Sequence, residues 1–135
     1  VGNEANAIQP NKRPLSSMSP TIVLKNGEPF LIIGTPGGST IITTVMQIIL
    51  NIAIHGMDIQ EAVSVSRVHS QWLPDAIIVE PRSLSKDVEI NLINRGHLIQ
   101  PYRWGTIGQA NGIMIGANGY YGGADPRGEN AAVGY

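Results

Sequence analysis

The sequence predicts an α+β fold, in which helices pack beside an antiparallel β-sheet. Asn-Gly pairs at 26–27 and 118–119 separate short β-rich segments, and this pair favours the tight turns that join antiparallel strands. Between these turns, apolar residues recur with the period of an α-helix over about 39–55. At 135 residues with 42% hydrophobic content, the chain is long enough to form a single domain, 1–135, around a hydrophobic core.

The first predicted elements are a β-hairpin and a long helix. Strands at 21–25 and 29–33 flank the first Asn-Gly turn, and a loop with three glycines, 34–38, follows the second strand. Ser39 or Thr40 is predicted to cap the helix. Polar residues recur at every fourth position of this helix, so the other positions form a broad apolar face, as in a buried core helix. These polar positions are Thr43, Gln47, Asn51 and His55.

Further helices alternate with short strands in the second half of the chain. Gly56 suits the C-terminal cap of the first helix. Asp58 and Glu61 have the three-residue spacing of a capping box, which predicts a second helix through about Ser66. The remaining predicted elements are a strand at 76–80, a helix at 85–95 that ends before Gly96, and short strands at 98–102, 112–116 and 119–122.

The composition argues against several classes of partner. Only 14% of the residues are charged and the net charge is -1, so the basic surface of a nucleic-acid-binding protein is missing. The longest apolar segment, 41–57, contains five polar residues and is too short for a membrane span, so we expect none. The absence of cysteine excludes disulfides and cysteine-ligated zinc. His55, His69 and His97 lack a metal-binding spacing, so we predict no metal site and no cofactor.

A glycine pair before the long helix is a candidate anion-binding site. Gly37 and Gly38 lack Cβ atoms, so backbone amides at a helix start can approach a developing negative oxygen closely. This arrangement describes an oxyanion hole. The alternative is an ordinary strand-to-helix turn that uses glycine for its conformation. The loop matches neither the nucleotide P-loop nor the dinucleotide fingerprint.

A serine pair is the second candidate site. Ser16 and Ser17 offer two hydroxyl donors for a carboxylate, and Lys12 and Arg13 add positive charge. Alternatively, the serines bond the local backbone in a turn and the cations are solvated. No Gly-x-Ser-x-Gly or Ser-x-x-Lys motif accompanies the pair, so a serine nucleophile is not favoured.

Several segments together resemble one enzyme family. The most specific are NKRPLSSMSP at 11–20 and PGGS at 36–39, and the similarity continues at 41–44, 67–75 and 124–127. These segments closely resemble the small subunit of the γ-glutamyltranspeptidases, also called glutathione hydrolases. The resemblance spans nearly the whole chain.

The resemblance implies the N-terminal nucleophile hydrolase fold, an αββα sandwich. Residues 1–135 would form the C-terminal portion of the small catalytic subunit. In this family the precursor, a zymogen, cuts itself and exposes a threonine, which acts as the nucleophile with its own α-amino group as base. The acyl-enzyme then passes the γ-glutamyl group to water or to an amino acid or peptide.

The resemblance also assigns roles to the two candidate sites. Ser16 and Ser17 would bind the α-carboxylate of the γ-glutamyl donor, within an extended substrate-binding loop region at 1–20. Gly37 and Gly38 would form the oxyanion hole. Thr35 stands where the family often has serine, a change that removes none of these roles.

Further partners are implied as well. The sequence begins, at Val1, with residues that resemble the interior of the small subunit, and the nucleophilic threonine has no counterpart here. We therefore expect the chain to be inactive alone and to require the large subunit and the N-terminal part of the small subunit. The implied ligands are glutathione or another γ-glutamyl donor, and an acceptor amino acid or peptide. The implied location is periplasmic or extracellular.

Two other interpretations share these motifs. A related cephalosporin acylase or poly-γ-glutamate-processing enzyme would carry the same segments, because donor selectivity depends heavily on residues outside them. Alternatively, the chain is a noncatalytic anion-binding or structural module in which the glycines and serines serve only the fold.

Overall fold

Two β-sheets organise the computed structural model, which describes residues 4–134. The prediction that the sequence begins with residues like those of the small-subunit interior concerns residues 1–3, which lie outside the described residues. Residues 7–20 contain no helix or strand. In chain order the elements are β1 (Thr21–Lys25), β2 (Glu28–Gly34), α1 (Ile41–Ala53), α2 (Ile59–Ser64), β3 (Val68–His69), β4 (Ile77–Val79), α3 (Lys86–Asn94), β5 (Ile99–Pro101), β6 (Asn111–Gly116) and β7 (Gly119–Ala124), with short 3-10 helices at Glu4–Asn6 and Gly38–Thr40.

The larger sheet is antiparallel throughout, with the strand order β1-β2-β6-β7. Its first hairpin confirms the prediction, because Asn26 and Gly27 both have positive φ angles, 55° and 87°, as this tight turn requires. In the central pair of strands, Ile32 lies opposite Ile113. The predicted second hairpin is confirmed as β6 and β7.

Alternate residues of the larger sheet face opposite sides. Leu31 and Ile33 are buried in the core, together with residues of α1 and α2. The intervening Ile32 is 41% exposed on the other face. The core therefore lies between one face of the sheet and two helices. The opposite face carries apolar side chains that are largely exposed, although Ala132 packs beside Gly122 on this face. Among them are Ile22, Leu24, Ile32 and Ile113.

Helix α2 lies directly against the larger sheet. A Cβ atom at Gly123 would lie 2.8 Å from the carbonyl oxygen of Ile59, so this close approach requires glycine there. At Gly112 a Cβ atom would meet the end of the Ile59 side chain, at 2.9 Å. The predicted capping box is confirmed: Asp58 accepts from the Glu61 amide at 2.7 Å, and Glu61 accepts from the Asp58 amide at 3.1 Å. The helix ends two residues earlier than the sequence predicts.

Helix α1 differs from its prediction in two respects. Neither predicted cap forms, because the Thr40 hydroxyl donates back to the carbonyl of Gly37. The helix is also buried on one side only. Its polar residues bond neighbouring elements, as when Gln47 donates to the Val68 carbonyl at 2.7 Å, and the adjacent apolar residue Met46 is 50% exposed.

No helix within residues 4–134 has the length and apolar character needed to cross a membrane.

The smaller sheet lies beside the predicted antiparallel sheet and was not itself predicted by the strand pattern. Its strand order is β3-β4-β5, and β4 and β5 pair in parallel. Parallel neighbours need a crossover connection, and α3, which confirms the third predicted helix, lies in the connection between them. The two-residue strand β3 is not predicted by the sequence, since it is too short to show a period.

Candidate functional site

One hydrogen bond links the two predicted binding elements. Ser17 Oγ donates to the carbonyl oxygen of Gly38 at 2.7 Å. Ser16 lies next to it in sequence, and its Oγ accepts from the Met18 amide at 3.2 Å. The serine pair and the glycine pair therefore lie together at the start of α1. No acceptor within residues 4–134 takes the hydroxyl proton of Ser16, so that proton is available to a ligand.

The glycine loop has a backbone conformation that suits glycine alone. Gly37 has a φ of 146° and Gly38 a φ of 57°, in the region that residues with a side chain disfavour. A Cβ atom at Gly37 would lie 2.5 Å from Thr40 Oγ1, whereas no described atom lies within 4 Å of the Cβ position at Gly38. Position 37 therefore excludes a side chain both by conformation and by contact.

The carbonyl groups of Gly37 and Gly38 are hydrogen-bonded within residues 4–134, and their amides are not. Gly37 O accepts from the Thr40 amide at 3.1 Å and from the Thr40 hydroxyl at 3.0 Å. Gly38 O accepts from Ser17 and from the Ile41 amide. Neither glycine amide donates to an acceptor within residues 4–134. These free donors precede α1, whose dipole favours an anion at that end, so the loop can bind a negative oxygen.

The other polar residues singled out by the sequence lie in different settings. Lys12 and Arg13 are exposed, and neither joins an ion pair within residues 4–134. His69 is buried, with Nδ1 at 2.7 Å from Thr43 Oγ1 and Nε2 at 3.0 Å from Gln71 Oε1, so both of its nitrogens have structural partners. No cluster of His, Asp or Glu within residues 4–134 could hold a metal ion.

A network of four charged residues lies in the interior. Arg127 donates to both carboxylate oxygens of Glu80, at 2.7 Å and 2.6 Å. Asp125 accepts from Arg67 at 2.7 Å and from Arg127 at 3.0 Å. All four side chains are at most 7% exposed. Glu80 follows β4 and Asp125 follows β7, so the network joins the two sheets with two positive and two negative charges.

The network lowers the pKa of both carboxyl groups. Burial raises the pKa of Glu80, but hydrogen bonds from Arg127 and from the Ile107 and Arg67 amides outweigh burial. Burial likewise raises the pKa of Asp125, and hydrogen bonds from backbone amides and from Arg67 outweigh it. Burial and the nearby Arg127 lower the pKa of Arg67. Burial also lowers the pKa of Arg127, but the carboxylates of Glu80 and Asp125 raise it by more, so the pKa of Arg127 lies above its ordinary value.

These shifts predict a loss of stability in acid. A carboxyl group whose pKa is lowered by folding stabilises the fold fully above its ordinary pKa, about 4. That contribution is lost as the pH falls through the lowered, folded-state value. We expect the free energy of unfolding of the protein, measured by urea titration, to fall below about pH 4. Asp125→Asn removes one of the two groups and should reduce this decline; an undiminished decline would contradict the assignment.

The network is what sequence reasoning missed. Arg67 and Asp125 are 58 positions apart, and no local pattern connects them. The available signal was indirect: Arg67 opens the family-like segment 67–75, and Asp125 and Arg127 lie in the segment 124–127. Both segments matched the family without a role in either candidate site.

Comparison with known proteins supports the resemblance. A family model described as gamma-glutamyltranspeptidase matches residues 1–135. The glutathione hydrolase proenzyme of Escherichia coli is 47% identical over 128 residues, which cover 94% of this chain and 22% of that protein. A crystal structure of a mutant Helicobacter pylori gamma-glutamyltranspeptidase matches with 50% identity and a TM-score of 0.84, over 95% of this chain and 70% of that one.

The alternative acylase is a more distant relative. The crystal structure of a cephalosporin acylase from Bacillus halodurans matches with 28% identity and a TM-score of 0.81, over 96% of this chain and 24% of that one. The curated relatives are much longer than this chain, which spans 22–25% of the two most similar ones reported. The predicted α+β, N-terminal nucleophile hydrolase fold is confirmed by these structures. Since the family model matches the whole sequence, the chain belongs to the γ-glutamyltranspeptidase family.

Proposed function

We propose that this chain supplies the oxyanion hole and part of the donor site of a γ-glutamyltransferase that also hydrolyses glutathione. The observation that carries the proposal is the pair of amides at Gly37 and Gly38, which have no acceptor within residues 4–134 and are linked to the serine pair by the Ser17 hydrogen bond. Residues 1–135 would form the C-terminal portion of the small catalytic subunit, and residues 1–20 its extended substrate-binding region.

The proposed reaction has two acyl transfers. A threonine outside these residues attacks the γ-glutamyl carbonyl, and its hydroxyl proton passes to its own α-amino group and then to the leaving amine. Water or an amino acid or peptide next attacks the acyl-enzyme and frees the threonine. In both transfers the carbonyl oxygen becomes negative, and the amides of Gly37 and Gly38 donate to it. Removing one such donor typically lowers kcat about 100- to 1,000-fold.

The serine pair would form the site for the α-carboxylate of the donor, with Ser16 as the group that donates to it. Ser16 has a hydroxyl proton without an acceptor within residues 4–134, so it can donate to the carboxylate. Ser17 gives its single proton to Gly38, so it connects carboxylate binding with the oxyanion loop. The exposed cations Lys12 and Arg13 add positive charge for an anionic donor.

The remaining parts of the enzyme would come from outside this chain. The large subunit and the N-terminal part of the small subunit would complete the sandwich, and the exposed apolar side chains of Ile22 and Ile32 on the outer face of the larger sheet support packing there. The chain alone would therefore be inactive. A periplasmic or extracellular location is proposed from the family, and fractionation of the producing cells tests it.

The test is release of p-nitroaniline from a γ-glutamyl anilide. The parent proenzyme, meaning the longer protein that contains this chain, is assayed after processing, beside the isolated 135-residue chain. Activity in the parent alone supports the proposal. Glutaryl and polymeric γ-glutamyl donors are compared in parallel; a clear preference for either would transfer the proposal to an acylase or a polymer-processing enzyme. No activity toward any donor would favour a noncatalytic module.

Ser16→Ala is expected to weaken donor binding. Loss of a hydrogen bond to a charged group is worth about 1.5–3 kcal/mol, so KM for the γ-glutamyl donor should rise about 10-fold or more while kcat changes little. Steady-state kinetics of the processed parent measures both constants. Ser64→Ala, at the exposed end of α2, is the matched control and should leave both unchanged. An unaltered KM in Ser16→Ala would remove this residue from the donor site.

A further inference from the structure

Two threonines hold the carbonyl groups of the oxyanion loop. Thr35 Oγ1 donates to the carbonyl oxygen of Pro36 at 2.7 Å. Thr40 Oγ1 donates to the carbonyl oxygen of Gly37 at 3.0 Å, and the Thr40 amide donates to the same oxygen at 3.1 Å. These two carbonyls precede Gly37 and Gly38 in the chain, so each belongs to the same peptide unit as one of the proposed oxyanion donors.

Because of peptide geometry, these hydrogen bonds also set the directions of the Gly37 and Gly38 N–H groups. The six atoms of a peptide unit lie in one plane, and in a trans unit the carbonyl and the amide N–H point to opposite sides. Both units of the loop are trans, since the cis bond found lies at Leu73-Pro74. Fixing the Pro36 carbonyl therefore fixes the direction of the Gly37 N–H. Fixing the Gly37 carbonyl does the same for the Gly38 N–H.

Thr35 is itself held by a neighbouring segment, residues 107–110. Its Oγ1 accepts from the Gln109 amide at 3.0 Å, so its hydroxyl proton is left to point at Pro36. Gly108 packs on the same atoms: a Cβ there would lie 2.8 Å from Thr35 Oγ1 and 3.4 Å from the Pro36 oxygen. With its φ of 69°, Gly108 allows the contact that a larger residue would prevent.

Both ends of the 107–110 segment are fixed by the buried charge network. The Ile107 amide donates to Glu80, and its carbonyl accepts from Arg67 at 2.6 Å. At the other end, the Ala110 amide donates to Asp125 at 2.7 Å. Hydrogen bonds to buried charged groups are stronger than neutral ones, so the segment that holds Thr35 is itself rigidly placed.

We infer that Thr35 and Thr40 are positioning residues for the reaction, which orient the oxyanion donors by holding the carbonyl oxygens of Pro36 and Gly37. The inference rests on the proposed function, because it concerns the same amides. Thr35 has the larger effect of the two. The Pro36 carbonyl has no other donor within residues 4–134, whereas the Gly37 carbonyl keeps the Thr40 amide when the hydroxyl is removed.

The test is Thr35→Val in the processed parent proenzyme. Valine has nearly the shape of threonine but no hydroxyl, so kcat for the γ-glutamyl anilide should fall about 10- to 100-fold, as expected for misplaced catalytic groups, with donor KM within about 2-fold. Thr35→Ser restores the hydroxyl and should restore kcat. The matched control is Thr44→Val: Thr44 is buried nearby, but its Oγ1 has no hydrogen-bond partner within residues 4–134, so kcat should not change.

Several outcomes separate this inference from the proposed function. If the parent is active and Thr35→Val keeps the normal kcat, the inference is overturned and the proposed function stands. The same conclusion follows if Thr35→Val raises only KM, or if Thr35→Ser does not restore the lowered kcat. A processed parent without γ-glutamyl activity refutes the function instead. If Thr35→Val does not fold or process, Thr40→Val decides: a fall in kcat at constant KM, smaller than 10-fold, supports the inference, and an unchanged kcat rejects it.

Discussion

Gly37→Ala is expected to lower kcat for γ-glutamyl hydrolysis about 100- to 1,000-fold, the usual effect of losing one oxyanion donor. The new Cβ would lie 2.5 Å from Thr40 Oγ1, and the φ of 146° is unfavourable for alanine. The loop must therefore move, and the Gly37 and Gly38 amides move with it. Steady-state kinetics of the processed parent proenzyme gives kcat and KM.

Two further glycine variants serve as comparisons. Gly27→Ala places alanine at a positive φ, 87°, in the β1–β2 turn, with no described atom within 4 Å of its Cβ, so it controls for backbone strain alone. Gly38→Ala also has open space around its Cβ and should reduce kcat less than Gly37→Ala. If Gly27→Ala reduced kcat as much as Gly37→Ala, the effect would be general destabilisation and the oxyanion role would lose its support.

Asp125→Asn is expected to lower the free energy of unfolding by about 3–5 kcal/mol, as for other broken buried ion pairs. The neutral amide leaves Arg67 and Arg127 buried with one carboxylate, Glu80, between them. A urea titration of the parent proenzyme at neutral pH measures the change. Since the side chain is fully buried, solvent cannot replace the lost charge.

The matched control for this variant is a surface ion pair. Lys86 and Glu89 lie 3.2 Å apart on α3, and the Lys86 side chain is 81% exposed, so Lys86→Gln should leave the urea midpoint unchanged within error. Equal midpoints for Asp125→Asn and the normal protein would show that the buried charges contribute nothing net to stability.

Local signals allowed much of the fold to be predicted from sequence. The turn at Asn26 and Gly27 and the capping box of Asp58 and Glu61 each depend on neighbouring residues alone, and both form as expected. The cap of α1 failed for a local reason that the sequence does not display. The glycines start a 3-10 helix at Gly38–Thr40, so Thr40 already has helical angles, with φ at -80° and ψ at -9°. Its hydroxyl then reaches back along the chain, whereas a capping residue is extended.

Long-range pairings could not be predicted in this way. The parallel contact of β4 with β5 depends on where α3 packs, and the bond from the Gln109 amide to Thr35 spans 74 positions. At the site, glycine and serine types indicated the candidate groups for an oxyanion and a carboxylate, since that information lies in the residues themselves. Which groups orient them depends on folded neighbours, so Thr35 and Thr40 became visible in the structure alone.

Gly37 and Gly38 present only main-chain groups, and this has a consequence for protein engineering. Main-chain amides are chemically alike in every variant, and position 37 has no room for a side chain. Variation at these two positions therefore offers no route to a new acyl preference in the proposed enzyme. A library that seeks one should hold codons 37 and 38 constant and place its diversity at residues 12–15, which are all exposed.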